Sequence, residues 1–460
     1  MVRLLSHYVP ANTLLQISLD ACLLFSAVTL GLVLQSHGSS AALAESIQPA
    51  ALFTLLIALV NGALGLYRHD LPRSFGGAAA RIILALLLGL GVLYVVLILV
   101  PCTASCEQAL AMSGTLSLPA VLLLRATLLH RLDPRVFTRH ILVVGTGPEA
   151  VLVEQALIAS GLRGMSLLGF YPIDGGEVAV SSERILSSTS TLTDVVNELE
   201  VDEIIVAVRE RRGGVLPLTE LLQCKLEGVS VIDVSTFFER LRGEVRIESL
   251  RASWLIYGDG FRQGILRTII KRIFDLSGAL VLLAVSLPFM LLAAIAIKLE
   301  SKGSIIYQQE RVGQAGRVFF VKKFRSMYSN AEADGKPRWA KANDDRVTRV
   351  GRFIRKTRID ELPQIFNVIM GEMSIVGPRP ERPFFVAQLS QQIPFYAARH
   401  SVKPGITGWA QVRYKYGDTV DDAVHKLQFD LYYIKNQTLL LDLLILFRTM
   451  TVVLSGEGAH

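Results

Sequence analysis

The chain has 460 residues, of which 51% are hydrophobic, with a mean hydropathy of +0.43 and a formal net charge of +7. A chain of that length is too long for a single domain with one hydrophobic core, and that hydropathy excludes a purely soluble protein. We therefore expect two or three domains, one of them in lipid. The positive charge is concentrated in residues 298–460, where 25 Lys and Arg face 16 Asp and Glu. Such an excess beside apolar segments favours an anionic membrane surface and phosphate-bearing substrates over nucleic acid.

Four apolar runs within residues 1–134 predict a four-helix transmembrane unit. The runs cover residues 14–34, 50–66, 82–100 and 110–124, and each is near the length of about 20 residues that a crossing helix needs. Arginines follow the second and fourth runs, whereas the other two loops have no Lys or Arg, so both ends of the unit are predicted to be cytoplasmic. No small-residue cleavage site follows the first run, which indicates a retained helix and not a signal peptide.

Two features of this unit each keep two interpretations. Asp20 lies inside the first run, where an ionisable group has either a function or a hydrogen bond to a neighbouring helix. Cys102 and Cys106 share a short loop and form either a disulfide or two free thiols. The four cysteines of the chain are too few for a disulfide scaffold.

Residues 135–241 predict a Rossmann-like α/β domain. A buried-strand pattern runs into a glycine turn, Gly145-x-Gly147-x-x-Ala150, and further strand patterns at 166–170, 203–208 and 229–234 alternate with helical ones. This alternation predicts a parallel sheet. The third glycine is Ala150 and Pro148 removes a possible N–H donor, so a working nucleotide site and a shape without a ligand both remain open. Residues 242–264 have few apolar residues and are predicted to be a linker.

A fifth apolar run, at 276–297, has the length of a membrane crossing, but its flanking residues do not fit a crossing helix. Basic residues stand on both sides of it, namely Lys271, Arg272, Lys298 and Lys302. Pro288 lies near its midpoint and removes a backbone hydrogen bond. These features predict a re-entrant helix-break-helix hairpin, with Ser286 bonding a carbonyl freed at the break. Each arm would rise about 16 Å at 1.5 Å per residue. A Pro-kinked crossing helix is the alternative.

The segment 346–382 carries the densest chemical signal. Leu362, Ile365, Phe366 and Ile369 recur at helical spacing, which predicts a helix that starts near Asp360. Asp360 and Glu361 could then be an N-cap and a first-turn acid. However, cations at a helix N-terminus are unfavourable, and four precede the pair: Arg352, Arg355, Lys356 and Arg358. They predict a bound phosphate, with one carboxylate attacking phosphorus and the other holding a divalent cation.

These residues belong to a series of motifs that resembles the bacterial polyprenyl-phosphate sugar-1-phosphate transferases. The series is Lys271-Arg-Ile-Phe-Asp275, the Pro288 hairpin, Gln309-Glu-Arg-Val-Gly313, Lys323-Phe-Arg-Ser-Met327, Asp360-Glu-Leu-Pro-Gln364, Gly377-Pro-Arg-Pro380 and Lys403-Pro-Gly-Ile-Thr-Gly-Trp-Ala-Gln-Val412. The motifs stand in family order over about residues 265–455. The preceding helices and α/β domain resemble those of the long form of this family, which is found in exopolysaccharide operons. The closest resemblance is to the type associated with exosortase systems.

The resemblance implies a mainly helical, monotopic catalytic domain at 265–460 on the cytoplasmic face of a bacterial inner membrane. It implies that Asp360 is the nucleophile, that Glu361 binds Mg2+, and that a sugar phosphate passes from a nucleotide sugar, usually a UDP-sugar, to polyprenyl (undecaprenyl) phosphate. The residues expected to bind substrate are Lys323, Arg325, Arg352, Arg358, Gly377, Pro378, Arg379, Pro380, Gln411 and Asp430. One departure concerns the hairpin, where Leu287 occupies the place at which the family often has Ser.

Other interpretations are weaker. A membrane dehydratase or epimerase would need a Tyr-x-x-x-Lys pair, and no Tyr in this chain has Lys four positions later. A non-catalytic scaffold or nucleotide sensor would not explain the motif that contains Asp360. The apolar stretch 439–447 is either an interfacial or a core helix. Homo-oligomer formation and the identity of the sugar stay open.

Overall fold

The protein is described by a computed structural model and has a mixed α/β fold. The description covers residues 2–4, 7–9, 11–35, 40–63, 138–159, 165–173, 177–186, 190–208, 216–247, 264–328, 346–414, 417 and 419–455, with isolated positions between 85 and 119. The chain forms two compact units, one from residues 1–125 and 257–460 and the other from residues 126–256.

The first unit begins with a short antiparallel pair, β1 (Val2–Leu4) and β2 (His7–Val9). Two helices follow, α1 (Ala11–Gln35) and α2 (Ser40–Ala63), and they pack against each other. They contain the first predicted run and most of the second. Asp20 is buried in α1. The third and fourth runs are described only at isolated helical positions, and the loop with Cys102 and Cys106 lies outside the described residues. The four-helix unit therefore stays a prediction.

The second unit contains the predicted parallel sheet. Its elements are β3 (Arg139–Val144), α3 (Pro148–Ala159), β4 (Met165–Tyr171), α4 (Leu192–Glu198), β5 (Glu203–Val206), α5 (Leu218–Leu226), β6 (Ser230–Asp233) and α6 (Val234–Arg242). The four parallel strands have the order β4-β3-β5-β6. Apolar clusters cover both faces, with α3 and α6 on one and α4 and α5 on the other.

The glycine turn after β3 is packed against its own chain. Gly145 has φ +113°, and a Cβ there would lie 2.6 Å from the carbonyl oxygen of Ala207. The Thr146 hydroxyl donates to the Glu177 carbonyl at 2.9 Å, and the Ala179 N–H donates to the Thr146 carbonyl at 2.8 Å. These contacts account for the glycine at 145 through close backbone approach and need no bound phosphate.

The fifth apolar run forms part of α7 (Ile265–Glu300), a helix of 36 residues that continues through Pro288. Among the described residues, α7 is the one helix long and apolar enough to cross a membrane. One stripe of it is buried, namely Asp275, Ala279, Ser286, Met290, Ala293 and Ile297. The Ser286 hydroxyl donates to the sulfur of Met290 at 3.6 Å, and the bond expected from Ser286 to a freed carbonyl is not seen. The re-entrant course of α7 stays a prediction.

The rest of the first unit surrounds the Asp360–Glu361 turn. It comprises the antiparallel hairpin β7 (Ile306–Val312) and β8 (Val318–Phe324), α8 (Arg349–Lys356), a 3-10 turn at Ile359–Glu361, α9 (Gln364–Met370), β9 (Ser374–Val376), α10 (Pro383–Gln392), a 3-10 turn at Tyr396–Ser401, β10 (Gly405–Thr407), α11 (Trp409–Arg413), α12 (Val420–Asn436) and α13 (Leu439–Ser455). Strand β9 pairs in parallel with β10.

Two details differ from the patterns in the sequence. The helix expected to start near Asp360 begins at Gln364, because Arg358 has φ +61° and Asp360 lies in the tighter turn between α8 and α9. Asp360 is therefore the N-cap of neither element. The C-terminal helix, α13, extends to Ser455 and is therefore longer than the apolar stretch 439–447. It packs against α2, β9 and β10, and its residues Leu441, Asp442 and Ile445 are fully buried. One face of α13 thus belongs to a core.

Candidate active site

Glu361 is held by two cations from separate segments of the chain. The Lys323 ammonium, on β8, lies 3.1 Å from its Oε1, and the Arg379 guanidinium lies 2.7 Å from the same atom. The Glu361 side chain is only 13% exposed. Burial raises the pKa of Glu361, but the charges of Arg379 and Lys323 outweigh that effect and hold the pKa well below its ordinary value. Glu361 is therefore a fixed carboxylate.

Asp360 has a different environment although it is the adjacent residue. Its carboxylate accepts no hydrogen bond from the described residues. Burial and the charge of Glu361 raise the pKa of Asp360 to about 6, against the opposing charges of Lys323, Arg355 and Arg358. At neutral pH the group is mostly ionised, poorly solvated and unbonded. Those are the properties of a carboxylate available for nucleophilic attack.

Lys323 is positioned by a buried asparagine that no sequence pattern singled out. The side chain of Asn367, on α9, is fully buried and accepts a hydrogen bond from the Lys322 N–H at 3.0 Å. Its amide donates to the Phe320 carbonyl at 2.8 Å. Strand β8 is thereby attached to the helix that follows Asp360, and this sets the register of Lys323 against Glu361.

Arg379 follows a tight crossing of two chain segments. Gly377 donates to the Thr407 carbonyl at 2.9 Å, and Gly405 donates to the Pro378 carbonyl at 3.0 Å. A Cβ on Gly377 would overlap the Lys403 carbonyl oxygen, so only glycine fits this approach. The motifs at 377–380 and 403–412 are therefore one structural feature, which directs the Arg379 side chain at Glu361.

The backbone around Arg379 is also held by two further arginines. Arg399 donates to the Arg379 carbonyl at 2.9 Å, and Arg311 donates to the Pro380 carbonyl at 3.0 Å. Arg399 also donates to the Tyr396 hydroxyl at 2.6 Å and forms an ion pair with Asp430, whose Oδ2 is 2.9 Å away. Burial raises the pKa of Asp430 to about 6 despite the Arg399 charge. Asp430 thus acts on Arg379 through Arg399.

The other residues expected at the site lie in varied positions. Arg358 is half-buried and its charge lowers the pKa of Asp360. Arg325 is buried and donates to the Ser301 and Lys302 carbonyls, so it holds the loop after α7. Arg352 is exposed on α8. Gln411 donates weakly to the Ile406 carbonyl at 3.4 Å. The structure therefore groups Lys323, Arg358 and Arg379 with the two acids, whereas Arg325 serves the backbone elsewhere.

Sequence reasoning missed Arg399 and Asn367, and it quoted Arg311 within a motif without giving it a role; all three bond backbone atoms. A carbonyl or N–H target leaves no trace in the pattern of side chains, so spacing alone does not reveal such residues. Burial would have been the one usable signal, since a buried polar side chain has a partner in nearly every case.

The donor chemistry around Glu361 fits a magnesium ion held jointly with phosphates. The second carboxylate oxygen of Glu361 and both oxygens of Asp360 accept no hydrogen bond from the described residues. Mg2+ prefers oxygen ligands and usually takes one or two carboxylates together with substrate phosphates and waters. The described part of the chain has no group of three or more His, Cys, Asp or Glu suited to a metal. The remaining ligands of such an ion would be substrate phosphates and waters.

Comparison with known proteins matches the same region. The model of the family described as bacterial sugar transferase matches residues 266–456. The UDP-N-acetylgalactosamine-undecaprenyl-phosphate N-acetylgalactosaminephosphotransferase of Aeromonas hydrophila is 45% identical over 240 residues, which are 52% of this chain and 56% of that protein. This chain therefore spans little more than half of that relative.

Two further relatives are matched over more of their length. The UDP-glucose:undecaprenyl-phosphate glucose-1-phosphate transferase of Xanthomonas campestris pv. campestris is 32% identical over 363 residues, covering 75% of this chain and 73% of that one. The protein of the same description from Klebsiella pneumoniae is 36% identical over 326 residues, with 70% and 69% covered. These matches extend well upstream of the Asp360 region.

Proposed function

Because the chain belongs to the bacterial sugar transferase family, we propose that it transfers a sugar 1-phosphate from a UDP-sugar to undecaprenyl phosphate. The resemblance deduced from the motifs is confirmed, and with it the class of polyprenyl-phosphate glycosyl-1-phosphate transferase. The names of these relatives include both a UDP-sugar and undecaprenyl phosphate. The observation that carries the proposal is the unbonded Asp360 carboxylate beside a Glu361 fixed by Lys323 and Arg379.

In the first step an Asp360 oxygen attacks the phosphorus that bears the sugar. The bond from that phosphorus to the bridging oxygen breaks, and the nucleoside monophosphate leaves with the electron pair. Attack by a carboxylate on an anionic diphosphate is opposed by charge repulsion, which Lys323, Arg355 and Arg358 reduce because they surround Asp360. The product is a sugar-phosphoryl aspartate.

In the second step an oxygen of undecaprenyl phosphate attacks the same phosphorus. The Asp360 carboxylate leaves, and the lipid diphosphate sugar forms without net proton transfer. A two-step reaction suits these substrates because the donor is water-soluble and the acceptor is lipid-bound. With a covalent intermediate, the site does not need to bind both substrates at the same time. A Mg2+ ion held by Glu361 and the phosphates would offset negative charge at the reacting phosphorus.

The proposal includes the membrane arrangement. Both ends of α7 contact the same unit, since Arg272 donates to the Val368 and Ile369 carbonyls while Glu300 accepts from the N–H groups of Arg349 and Val350. This supports a re-entrant α7 that enters and leaves on the cytoplasmic side. With four crossings in the N-terminal part as a further element of the proposal, the reaction takes place on the cytoplasmic face of the inner membrane and is the first step of exopolysaccharide synthesis.

The proposal is tested by supplying UDP-sugars to the purified protein in detergent without undecaprenyl phosphate. We expect a burst of uridine monophosphate close to one equivalent and a gain in protein mass equal to one sugar phosphate. Asp360→Asn should abolish both, whereas the control Asp421→Asn, at an exposed acid of α12, should change neither. Release that requires undecaprenyl phosphate would instead show direct transfer without an intermediate. A panel of UDP-sugars identifies the sugar.

A further inference from the structure

A basic surface with two exposed apolar side chains lies where α7 ends and α8 begins. Its cations are all exposed: Lys298, Lys302, Arg349, Arg352 and Lys356. Leu299 and Phe353 stand among them with 83% and 62% of their surface exposed. We call these seven residues the α7–α8 basic surface.

The contacts beneath this surface fix its position relative to the membrane helix. The Glu300 carboxylate accepts hydrogen bonds from the N–H groups of Arg349 and Val350 at 2.8 and 3.1 Å, and the Thr348 hydroxyl accepts from Gly351 at 2.8 Å. Gly351 and Ile354 face inward and are buried. The start of α8 is therefore bonded to the last residue of α7. The inner face of α8 lies in the core, and its basic face points outward.

The charge of this surface is not balanced by its own segments. Among the described residues 298–302 and 346–358, Glu300 is the one acid, and its carboxylate is bonded to the start of α8. A purely solvated face would explain the cations alone. It does not explain large apolar side chains held outward between them, an arrangement typical of helices that lie at a lipid surface.

We propose that the α7–α8 basic surface binds the anionic phospholipid headgroups of the membrane that holds α7. The cations contact headgroup phosphates, and Leu299 and Phe353 enter the boundary between headgroups and acyl chains. Arg352 then serves the lipid and not the nucleotide sugar. The inference rests on the membrane placement given under the proposed function.

The consequence for catalysis follows from the connection between α8 and the nucleophile. Helix α8 ends at Lys356, and the turn with Asp360 starts at Ile359. Headgroup binding by α8 therefore sets the depth of Asp360 relative to the phosphate of a lipid acceptor. It should assist the second step and leave the first step, which uses a soluble donor, unaffected.

The test compares the full-length protein in nanodiscs of phosphatidylcholine with nanodiscs that also contain phosphatidylglycerol. In the wild type we expect phosphatidylglycerol to slow amide hydrogen exchange in α8 and to raise transfer to undecaprenyl phosphate. Each of Arg349→Gln and Lys302→Gln should weaken this response about fivefold, as loss of one membrane-facing cation does. Phe353→Ser should also weaken it. Monophosphate release in detergent should stay at the wild-type rate in all three.

Matched controls come from the same unit. Arg317→Gln and Val318→Ser change an exposed cation at the end of the β7–β8 turn and an exposed apolar residue at the start of β8, and both should respond to lipid as the wild type does. Arg349→Lys keeps the charge and should too, which excludes simple unfolding. Equal α8 exchange in both nanodiscs would overturn the inference, as would α8 protection in detergent that rises with protein concentration, which indicates a second copy. Loss of detergent release in the wild type would instead count against the proposed function.

Discussion

At the scale of single residues, Asp360 and Glu361 are neighbours whose pKa values move in opposite directions. Burial and the Glu361 charge raise the pKa of Asp360 to about 6, while Arg379 and Lys323 overcome the effect of burial on Glu361 and lower its pKa. Environments that separate two carboxyls in this way assign different roles to them. Glu361 stays charged well below the ordinary pKa of a glutamate, whereas Asp360 titrates near pH 6.

The first prediction concerns the pH dependence of monophosphate release. Attack requires the ionised form, so the rate should fall about tenfold per pH unit below pH 6. Lys323→Gln removes a cation that lowers the pKa of Asp360 and should move this acid limb to higher pH. The control is Lys322→Gln, because the Lys322 ammonium contacts the Met370 sulfur instead. An identical acid limb in the two variants would contradict the assignment.

The second prediction concerns stability. The pKa of Asp360 is raised in the folded protein from 3.8 to about 6, so its ionised form destabilises the fold above pH 6, and the penalty vanishes below the unfolded value. Asp360→Asn should therefore raise the free energy of unfolding at about pH 8, by at most about 3 kcal/mol, and leave it unchanged near pH 4. Thermal unfolding at the two pH values measures this. An equal gain at both would show that charge is not the cause.

At the scale of secondary-structure elements, the site depends on β8 and α9 keeping one register. The Asn367 side chain bonds β8 through Lys322 N–H and the Phe320 carbonyl, and its amide also donates to Glu372 at 2.7 Å. A leucine would leave these buried backbone groups without partners. The arrangement makes one asparagine responsible for the distance between Lys323 and Glu361.

The third prediction follows from this bond. Asn367→Leu should lower the free energy of unfolding by about 2–4 kcal/mol, the cost of leaving buried polar groups unpaired. Hydrogen exchange at Lys322 N–H should become faster, and monophosphate release should fall because Lys323 loses its register. Gln388→Leu, on the exposed side of α10, is the control and should change none of the three. Unchanged release in Asn367→Leu would separate the register from the activity.

The sequence predicted much at this scale, and its errors have physical reasons. The periodicity at 362–369 correctly indicated a helix after Asp360, but it did not show that Arg358 would adopt φ +61° and separate the acids from that helix in a 3-10 turn. Spacing likewise placed Arg325 with Lys323 in one motif, and residues two apart on a strand would share a face. Strand β8 ends at Phe324, however, so Arg325 stands beyond it and bonds the loop after α7.

At the scale of the whole molecule, the two compact units have separate cores. The parallel sheet of residues 126–256 was predictable from alternating strand and helix patterns, and all the residues that we assign to the chemistry lie in the other unit. The membrane course of the N-terminal runs and of α7 rests on the apolar length and basic flanks of those segments. Those features predict which segments enter lipid, but they do not predict how the segments pack against one another.

The fourth prediction uses this separation. Gly145→Val should destabilise the unit of residues 126–256, because the position has φ +113° and a side chain there meets the Ala207 carbonyl. Monophosphate release should stay at the wild-type rate, since the mutated turn belongs to the other core. Limited proteolysis reports the first effect and the burst assay the second. A parallel loss of release would mean that the sheet supports the chemistry.

The attachment of α7 at both ends has a mechanical consequence. Arg272 holds the end of α9 and Glu300 holds the start of α8, so the turn with Asp360 lies between two helices that are fastened to opposite ends of one apolar helix. A bilayer that is too thick or too thin changes the tilt or bend of such a helix. With α7 in lipid as proposed, we therefore expect the length of the acyl chains to change the geometry of the turn that carries Asp360.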